Sequence, residues 1–435
     1  MEPFHLNRRF LLLAGVALAL PVPAFAADRP SPEVVVLQWY RLILELIRHT
    51  ATYSPPVASR AFAYLGVALW EAVAQSRGLT SLAGQANGLA PLPQLPGAVD
   101  EAVLVHATLS AATATLFANT GPTGQRAMTA MTEKLGAKVT EGLDAVLTAD
   151  SSAQGAAIAT HILAWAETDG GAKVENLGFP MNYTLGGKPQ SWVPTSAVRL
   201  QQTPLLPGWG DVRPFALTGD LPCGLDPHPD YSEDPASAFY AEAVEVYETT
   251  KTLTDEQKLI ARFWSDDPML SPTPPGHWIS ILSEIAARDA LPLDQLADAL
   301  ARLGMAVADA FIVCWRVKFE YDLLRPITYI RRPIDPKWEP LLNTPPFPEY
   351  PSGHSSQSGA AYAVLEAIFG SDFAFNDATH EADGLPVRSF PSFKAAAEEA
   401  AISRLYGGIH FRAAIDNGIA QGECVADFIN RMKTL

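Results

Sequence analysis

Cysteine is scarce in this 435-residue sequence, with only Cys223, Cys314 and Cys424 present. Three cysteines exclude a disulfide scaffold and any site needing four thiolates. They lie far apart in sequence and permit at most one disulfide, and three buried thiols is the expected state. Basic charge is also thin: 31 Lys and Arg stand against 47 Asp and Glu, for a formal net charge of -16. That balance excludes a general nucleic-acid binder. It also means that an anionic ligand meets a repulsive overall field and needs a local, purpose-built cationic pocket. Beyond the N-terminal segment no uninterrupted apolar stretch approaches 18 residues, so no membrane span is expected in the mature chain. Charged residues make up 18% and hydrophobic residues 48%, which excludes disorder and predicts a large packed core.

Residues 1–26 read as an export signal. Arg8 and Arg9 precede an apolar run from Phe10 to Leu20, and Ala24-Phe25-Ala26 supplies the small residues of a cleavage site. The paired arginines resemble a twin-arginine signal. The expected location is therefore periplasmic or secreted.

The mature chain is dominated by helical periodicity. Helices are predicted over 33–49, 56–77, 99–119, 122–148 and 151–167, then 235–250, 254–264, 277–289 and 292–324, and finally 354–369, 392–406 and 411–432. No run of strands and no internal repeat is evident. The fold class is all-α. An N-terminal helical bundle over 28–170 is joined by an irregular Pro/Gly-rich region, 171–232, to a C-terminal bundle over 233–435. An irregular stretch of that length is more often functional than idle.

Three segments of the C-terminal third place charge where helix geometry calls for core. The apolar stripe Leu296, Leu300, Leu303, Val307, Phe311, Cys314 continues by steps of three and four to Lys318 and Arg325. A buried cation needs an anionic partner; Asp322 or Glu320 could pair with Lys318, or its ammonium could reach solvent. Pro351-Ser352-Gly353-His354 has the parts of a helix N-terminus, whose free N–H groups and dipole favour oxyanions. The small residues Ser356, Ser358, Gly359, Ala360 and Ala361 let neighbouring helices pack close behind His354. This is no nucleophile elbow, since the glycine required at 357 is Gln357, and no Walker loop is present. In the third segment the buried face of Phe393, Ala397 and Ala400 steps on to Arg404, and Gly407-Gly408 turns the chain so that His410 can enter the same space.

Taken in order, Lys318 with Arg325-Pro326, then Pro351-Ser352-Gly353-His354, then Ser403-Arg404 with His410 resemble the three-part signature of vanadium-dependent haloperoxidases. The type 2 phosphatidic acid phosphatases and bacterial class A acid phosphatases share that signature. The resemblance implies vanadate, or phosphate, bound by Lys318, Arg325, Ser352, Gly353 and Arg404. His410 becomes the ligand to vanadium, or the nucleophile on phosphorus, and His354 the acid/base. It further implies hydrogen peroxide and a halide as substrates, with Lys318 polarising the peroxide, and a small organic acceptor. Trp315 and Phe347 match aromatics bordering the halide site in the fungal chloroperoxidases. The stretch Phe263-Trp264-Ser265-Asp266-Asp267 resembles the segment whose aspartate pairs with the second arginine, so Asp266 or Asp267 is the expected partner of Arg404. One departure stands out: the position four after His410, where the family has an orienting Asp, is Ala414, and the nearest acid is Asp416. Halide preference and a homodimer both stay open. An exported phosphatase working through phospho-His410, and an oxyanion-binding protein without turnover, remain the alternatives.

Overall fold

A computed structural model describes residues 29–93, 97–196, 202–219 and 222–435. The predicted export signal at 1–26 lies outside them. Among the described residues the chain is built of α1 (Pro32–Arg48), α2 (Pro55–Arg77), α3 (Glu101–Leu116), α4 (Pro122–Thr140), α5 (Ala145–Ala166), the short α6 (Gly171–Leu177), α7 (Ala238–Lys251), α8 (Asp255–Phe263), α9 (Thr273–Asp289), α10 (Leu293–Tyr321), α11 (Pro326–Ile330), α12 (Gly353–Phe369), α13 (Phe393–Tyr406) and α14 (Arg412–Asn430). The fold is all-α, two helical bundles with an irregular connection. Its one exception is a small antiparallel hairpin, β1 (Phe375–Asp377) with β2 (Arg388–Phe390), which corrects the expectation of no strands.

Several boundaries move for local reasons. The helix expected over 122–148 stops at Thr140. Gly142 takes a left-handed conformation (φ 74°), and Asp144 caps α5 by accepting from the N–H groups of Val146 and Leu147. The helix expected to carry both Lys318 and Arg325 ends at Tyr321, where Asp322 (φ 49°) caps it in the left-handed region. Arg325 instead sits at the N-cap of α11, ahead of Pro326, in extended backbone that a residue before proline favours. Lys318 and Arg325 therefore come from two helices rather than one face.

The bundles meet where α2 and α10 cross. A Cβ on Gly66 would fall 2.7 Å from the Leu300 carbonyl, and one on Gly304 2.8 Å from that of Phe62, so backbone lies on backbone. α2 is the one described helix long and apolar enough to cross a membrane, and its apolar window is wholly buried inside the protein. The irregular region fastens onto α10: the Asp309 carboxylate accepts the N–H groups of Phe215, Ala216 and Leu217, and Trp192 N–H donates to the Asp322 carbonyl. Cys223 on this region is bonded to Cys424 on α14, and Cys314 is a buried free thiol. This corrects the expectation of three thiols: 201 residues of sequence separate two cysteines that packing brings together.

Candidate oxyanion site

Four elements deliver the charged residues to one place. The last turn of α10 supplies Lys318, the start of α11 Arg325, the start of α12 Ser352, Gly353 and His354, and the end of α13 with its following turn Arg404 and His410. Gly408 (φ 75°) makes the fold-back that brings His410 round. α14 presses against the back of α12 so closely that a Cβ on Gly422 would fall 2.2 Å from the Ser356 carbonyl, as the small residues after His354 lead one to expect.

A cavity of about 700 Å³ opens onto this cluster, walled by Gly353, His354, Arg404 and His410, by Trp315 and Phe347, by Asp266 and Asp267, and by the strap of residues 339–347. Lys318, Arg325 and Ser352 have no exposed surface and lie behind the wall. Ser352 Oγ accepts the Ser355 N–H, leaving the first N–H groups of α12 at the positive end of its dipole.

Three buried cations lie at or just behind this wall. Burial pushes the Arg325 guanidinium down to about 9, the Arg404 guanidinium to about 10 and the Lys318 ammonium to about 8. Lys318 neither pairs with Asp322 or Glu320 nor reaches solvent: Nζ donates to the carbonyls of Pro348 (3.0 Å), Glu349 (2.9 Å) and Pro351. It lends charge while its hydrogens are held by the segment that follows the strap. Arg325 donates from Nε to Phe347 O (2.9 Å) and from Nη1 to Ile409 O (2.9 Å) and to His410 Nε2 (3.1 Å). The rings of Trp315 and Phe347 stand 4.8 Å apart and face the cations, with Lys318 Nζ 5.3 Å and Arg325 Cζ 4.9 Å from the Phe347 centroid.

His410 is held by a residue the sequence reading passed over. Its Nδ1 lies 2.8 Å from Glu349 Oε1, which also accepts the Phe411 N–H at 2.8 Å. That fixes the proton on Nδ1 and leaves the Nε2 lone pair facing Arg325. Burial and the surrounding cations keep His410 well below the ordinary histidine range, so the ring is neutral. Burial pushes the Glu349 carboxyl up to about 8, and Oε1 accepts in either protonation state. Asp416, by contrast, is exposed on the outer face of α14 beside Arg412 and does not orient His410. The signal for Glu349 was present, two residues before Pro351, but an acid within a Pro-rich strap has no periodicity to give it a direction.

Neither expected aspartate forms an ion pair with Arg404. Nη1 donates instead to the Trp264 carbonyl (2.5 Å). Asp267, on the cavity wall, supplies the larger attraction to that guanidinium, while Asp266 turns away on a left-handed residue (φ 48°) toward His277 and His380. His354 also hydrogen-bonds the Trp264 carbonyl, and burial with Arg404 nearby holds it well below its usual range.

Among the described residues, the buried polar atoms with no partner include Arg325 Nη2, Arg404 Nε and His354 Nε2. Unmet donors in a dry cationic pocket cost about 1–3 kcal/mol each, more when charged. A multi-oxygen anion that accepts from both guanidiniums while the neutral His410 Nε2 approaches its central atom removes that penalty. The arrangement defines a class: a two-bundle helical protein with an oxyanion pocket of lysine, two arginines and two histidines.

Comparison with known proteins gives the class its family. The model described as the VCPO second helical-bundle domain matches residues 298–434. The crystal structure of a bacterial vanadium-dependent iodoperoxidase superposes with a TM-score of 0.85 at 38% identity, covering 93% of this chain and 97% of that one. A holo-type bacterial vanadium-dependent chloroperoxidase shares the fold, with a TM-score of 0.66 at 17% identity over 89% of this chain and 95% of that one. The vanadium chloroperoxidase of Curvularia inaequalis is 31% identical over 132 residues, 25% of this chain and 22% of that protein, so the chain spans about a fifth of this curated relative's length. The chain belongs to the vanadium-dependent haloperoxidase family.

Proposed function

We propose that this protein is an exported vanadate-dependent haloperoxidase, which converts hydrogen peroxide, halide and a proton into hypohalous acid and water, the hypohalous acid then passing to a small organic acceptor. The observation that carries this reading is the neutral His410 on the cavity wall, its Nε2 lone pair turned to Arg325 Nη1 while Arg325 Nη2 and Arg404 Nε have no partner. The residues fit vanadate. His410 would hold it through Nε2, Arg325, Arg404 and Lys318 would balance its charge, and Ser352 with the Gly353 amide would add neutral donors. Vanadate, when bound, activates peroxide for attack by halide without changing its own oxidation state.

The chain's own residues then have separate tasks. Glu349 keeps the His410 proton on Nδ1. Lys318, immobilised by three carbonyls, holds a fixed positive charge at the site. His354, whose Nε2 has no partner, receives and returns a proton at Nε2, its basicity rising once an anion offsets Arg404. Trp315 and Phe347 exclude water from one side of the cavity, which favours the large, weakly hydrated iodide. Iodide is also what the 38% identical relative is named for. The Cys223–Cys424 disulfide supports location in an oxidising compartment.

The test is oxidation of iodide and bromination of a phenolic dye by vanadate-loaded protein with peroxide, beside a His410→Ala variant. Halide oxidation lost in the variant is the expected result. No halide oxidation at any pH, with phosphate-ester hydrolysis blocked by vanadate, would instead identify the phosphatase that the same Nε2 lone pair can serve. Anion affinity with neither turnover would identify a binding protein.

A further inference from the structure

Behind the oxyanion pocket lies a second cluster that the chemistry above does not use. Asp266 follows α8, His277 is in the first turns of α9, and His380 lies in the connection between β1 and β2. All three are buried, His277 fully. The Asp266 carboxylate oxygens stand 3.0 and 3.1 Å from His277 Nδ1, and Oδ1 is 3.1 Å from His380 Nε2. One donor atom from each residue falls within 4.8 Å of the other two. Each ring then turns its opposite nitrogen to another carboxylate: His277 Nε2 to Asp377 Oδ2 at 2.8 Å, and His380 Nδ1 to Asp383 Oδ2 at 2.9 Å. Asp383 is itself tied to Arg48.

With protons alone and every facing carboxylate ionised, all four ring nitrogens are donors. That makes two imidazolium ions whose centroids are 5.0 Å apart inside the protein, sharing Asp266 and each paired with one further aspartate. A divalent cation resolves this more simply. Both rings become neutral, each gives its remaining N–H to its own aspartate, and both lone pairs join Asp266 around the ion. The Asp266 oxygens about 3 Å from each ring nitrogen, with all three donor atoms within 4.8 Å of one another, can converge on one ion with bonds of about 2.0–2.2 Å, and a carboxylate behind each ligating histidine is the arrangement that fixes its tautomer.

We propose that Asp266, His277 and His380 bind a divalent transition-metal ion of the zinc class, with Asp377 and Asp383 orienting the two imidazoles. Two imidazoles and a carboxylate without a thiolate favour such an ion over calcium or magnesium. The site staples the turn after α8 to α9 and to the β hairpin. That turn carries Trp264, whose carbonyl holds Arg404 and His354, and Asp267, which faces Arg404. The metal is thus a structural support for one wall of the pocket, and the proposal does not depend on vanadate or on peroxidase activity.

The experiment uses full-length, tag-free protein prepared without vanadate. Elemental analysis is expected to find about one equivalent of a divalent transition metal. Dipicolinate should strip it and lower Tm, and added zinc should restore both. Cobalt loaded into the stripped protein should give a ligand-field spectrum of low coordination number. The spectrum should persist in His410→Ala and vanish in His380→Gln; His380 sits in a loop, so this variant serves if His277→Gln does not fold. Less than a tenth of an equivalent of metal, with no response of Tm to zinc and no cobalt spectrum, would overturn the proposal and leave the cluster a proton-only ion-pair network.

Discussion

Glu349 does at residue scale what the missing aspartate at position 414 was expected to do. Its Oε1 bond to His410 Nδ1 sets which nitrogen keeps its lone pair. Glu349→Ala should reduce kcat for halide oxidation about 10–100-fold, the usual effect of losing a carboxylate behind a ligating histidine. Glu349→Gln, which keeps an acceptor at Oε1, should retain most of the activity. The same side chain contributes to the pH dependence of stability. With its carboxyl raised from 4.5 to about 8, the folded anion-free protein keeps a proton that the unfolded chain releases. That stabilisation is complete below about pH 4.5 and is lost as pH rises to about 8. Lys318, lowered from 10.5 to about 8, acts above that range with the opposite slope, because there the unfolded chain binds more protons and stability climbs with pH. In thermal melts of anion-free protein, Glu349→Gln should remove the carboxyl contribution, so that between pH 5 and 8 the stability of the parent falls relative to that of the variant. Lys318, Arg404, His354 and His410 were legible because each is a polar residue at a position that periodicity or a helix terminus marked as interior. Glu349, His277 and His380 were not, since each gains meaning only from a partner at least eleven residues away.

Among the elements, the α12–α14 contact decides whether Ser352, Gly353 and His354 are presented correctly. Gly359 and Gly422 let the two backbones touch, and a Cβ at 422 would lie 2.2 Å from the Ser356 carbonyl oxygen, a backbone atom of α12 itself. Gly422→Ala should destabilise the fold by about 1–3 kcal/mol, read from denaturant midpoints, and weaken phosphate or vanadate binding as α12 shifts. A variant that bound anion as tightly as the parent despite the lost stability would show that α12 is positioned by its N-terminal strap rather than by α14. Helix existence was readable throughout this region, whereas the ends were not. Asp322 stops α10 by adopting a left-handed conformation, and its carbonyl accepts the Trp192 N–H of the irregular region. The expectation that Lys318 and Arg325 ride one helix therefore failed, although both residues reached the pocket.

For the molecule as a whole, the irregular region acts as a belt, fastened to α10 through Asp309 and to α14 through the disulfide. A Cys223→Ala/Cys424→Ala double variant should lose about 2–4 kcal/mol of stability. Reductant should lower the Tm of the parent and leave that of the variant unchanged. The N-terminal bundle matters to the site chiefly through the α2–α10 crossing, which fixes the helix that carries Trp315 and Lys318.

The sequence alone determined the all-α class, the acidic surface that forces an anion site to be local, and the set of cationic and imidazole side chains assigned to it, because helical periodicity and helix-terminal chemistry act over only a few residues. Tertiary structure alone decided which atoms of that set remain free. The carbonyls that immobilise Lys318, the carboxylate that fixes the His410 tautomer, the carbonyl that takes up Arg404 and the pairing of two distant cysteines all join segments whose separation along the chain says nothing about their distance in space.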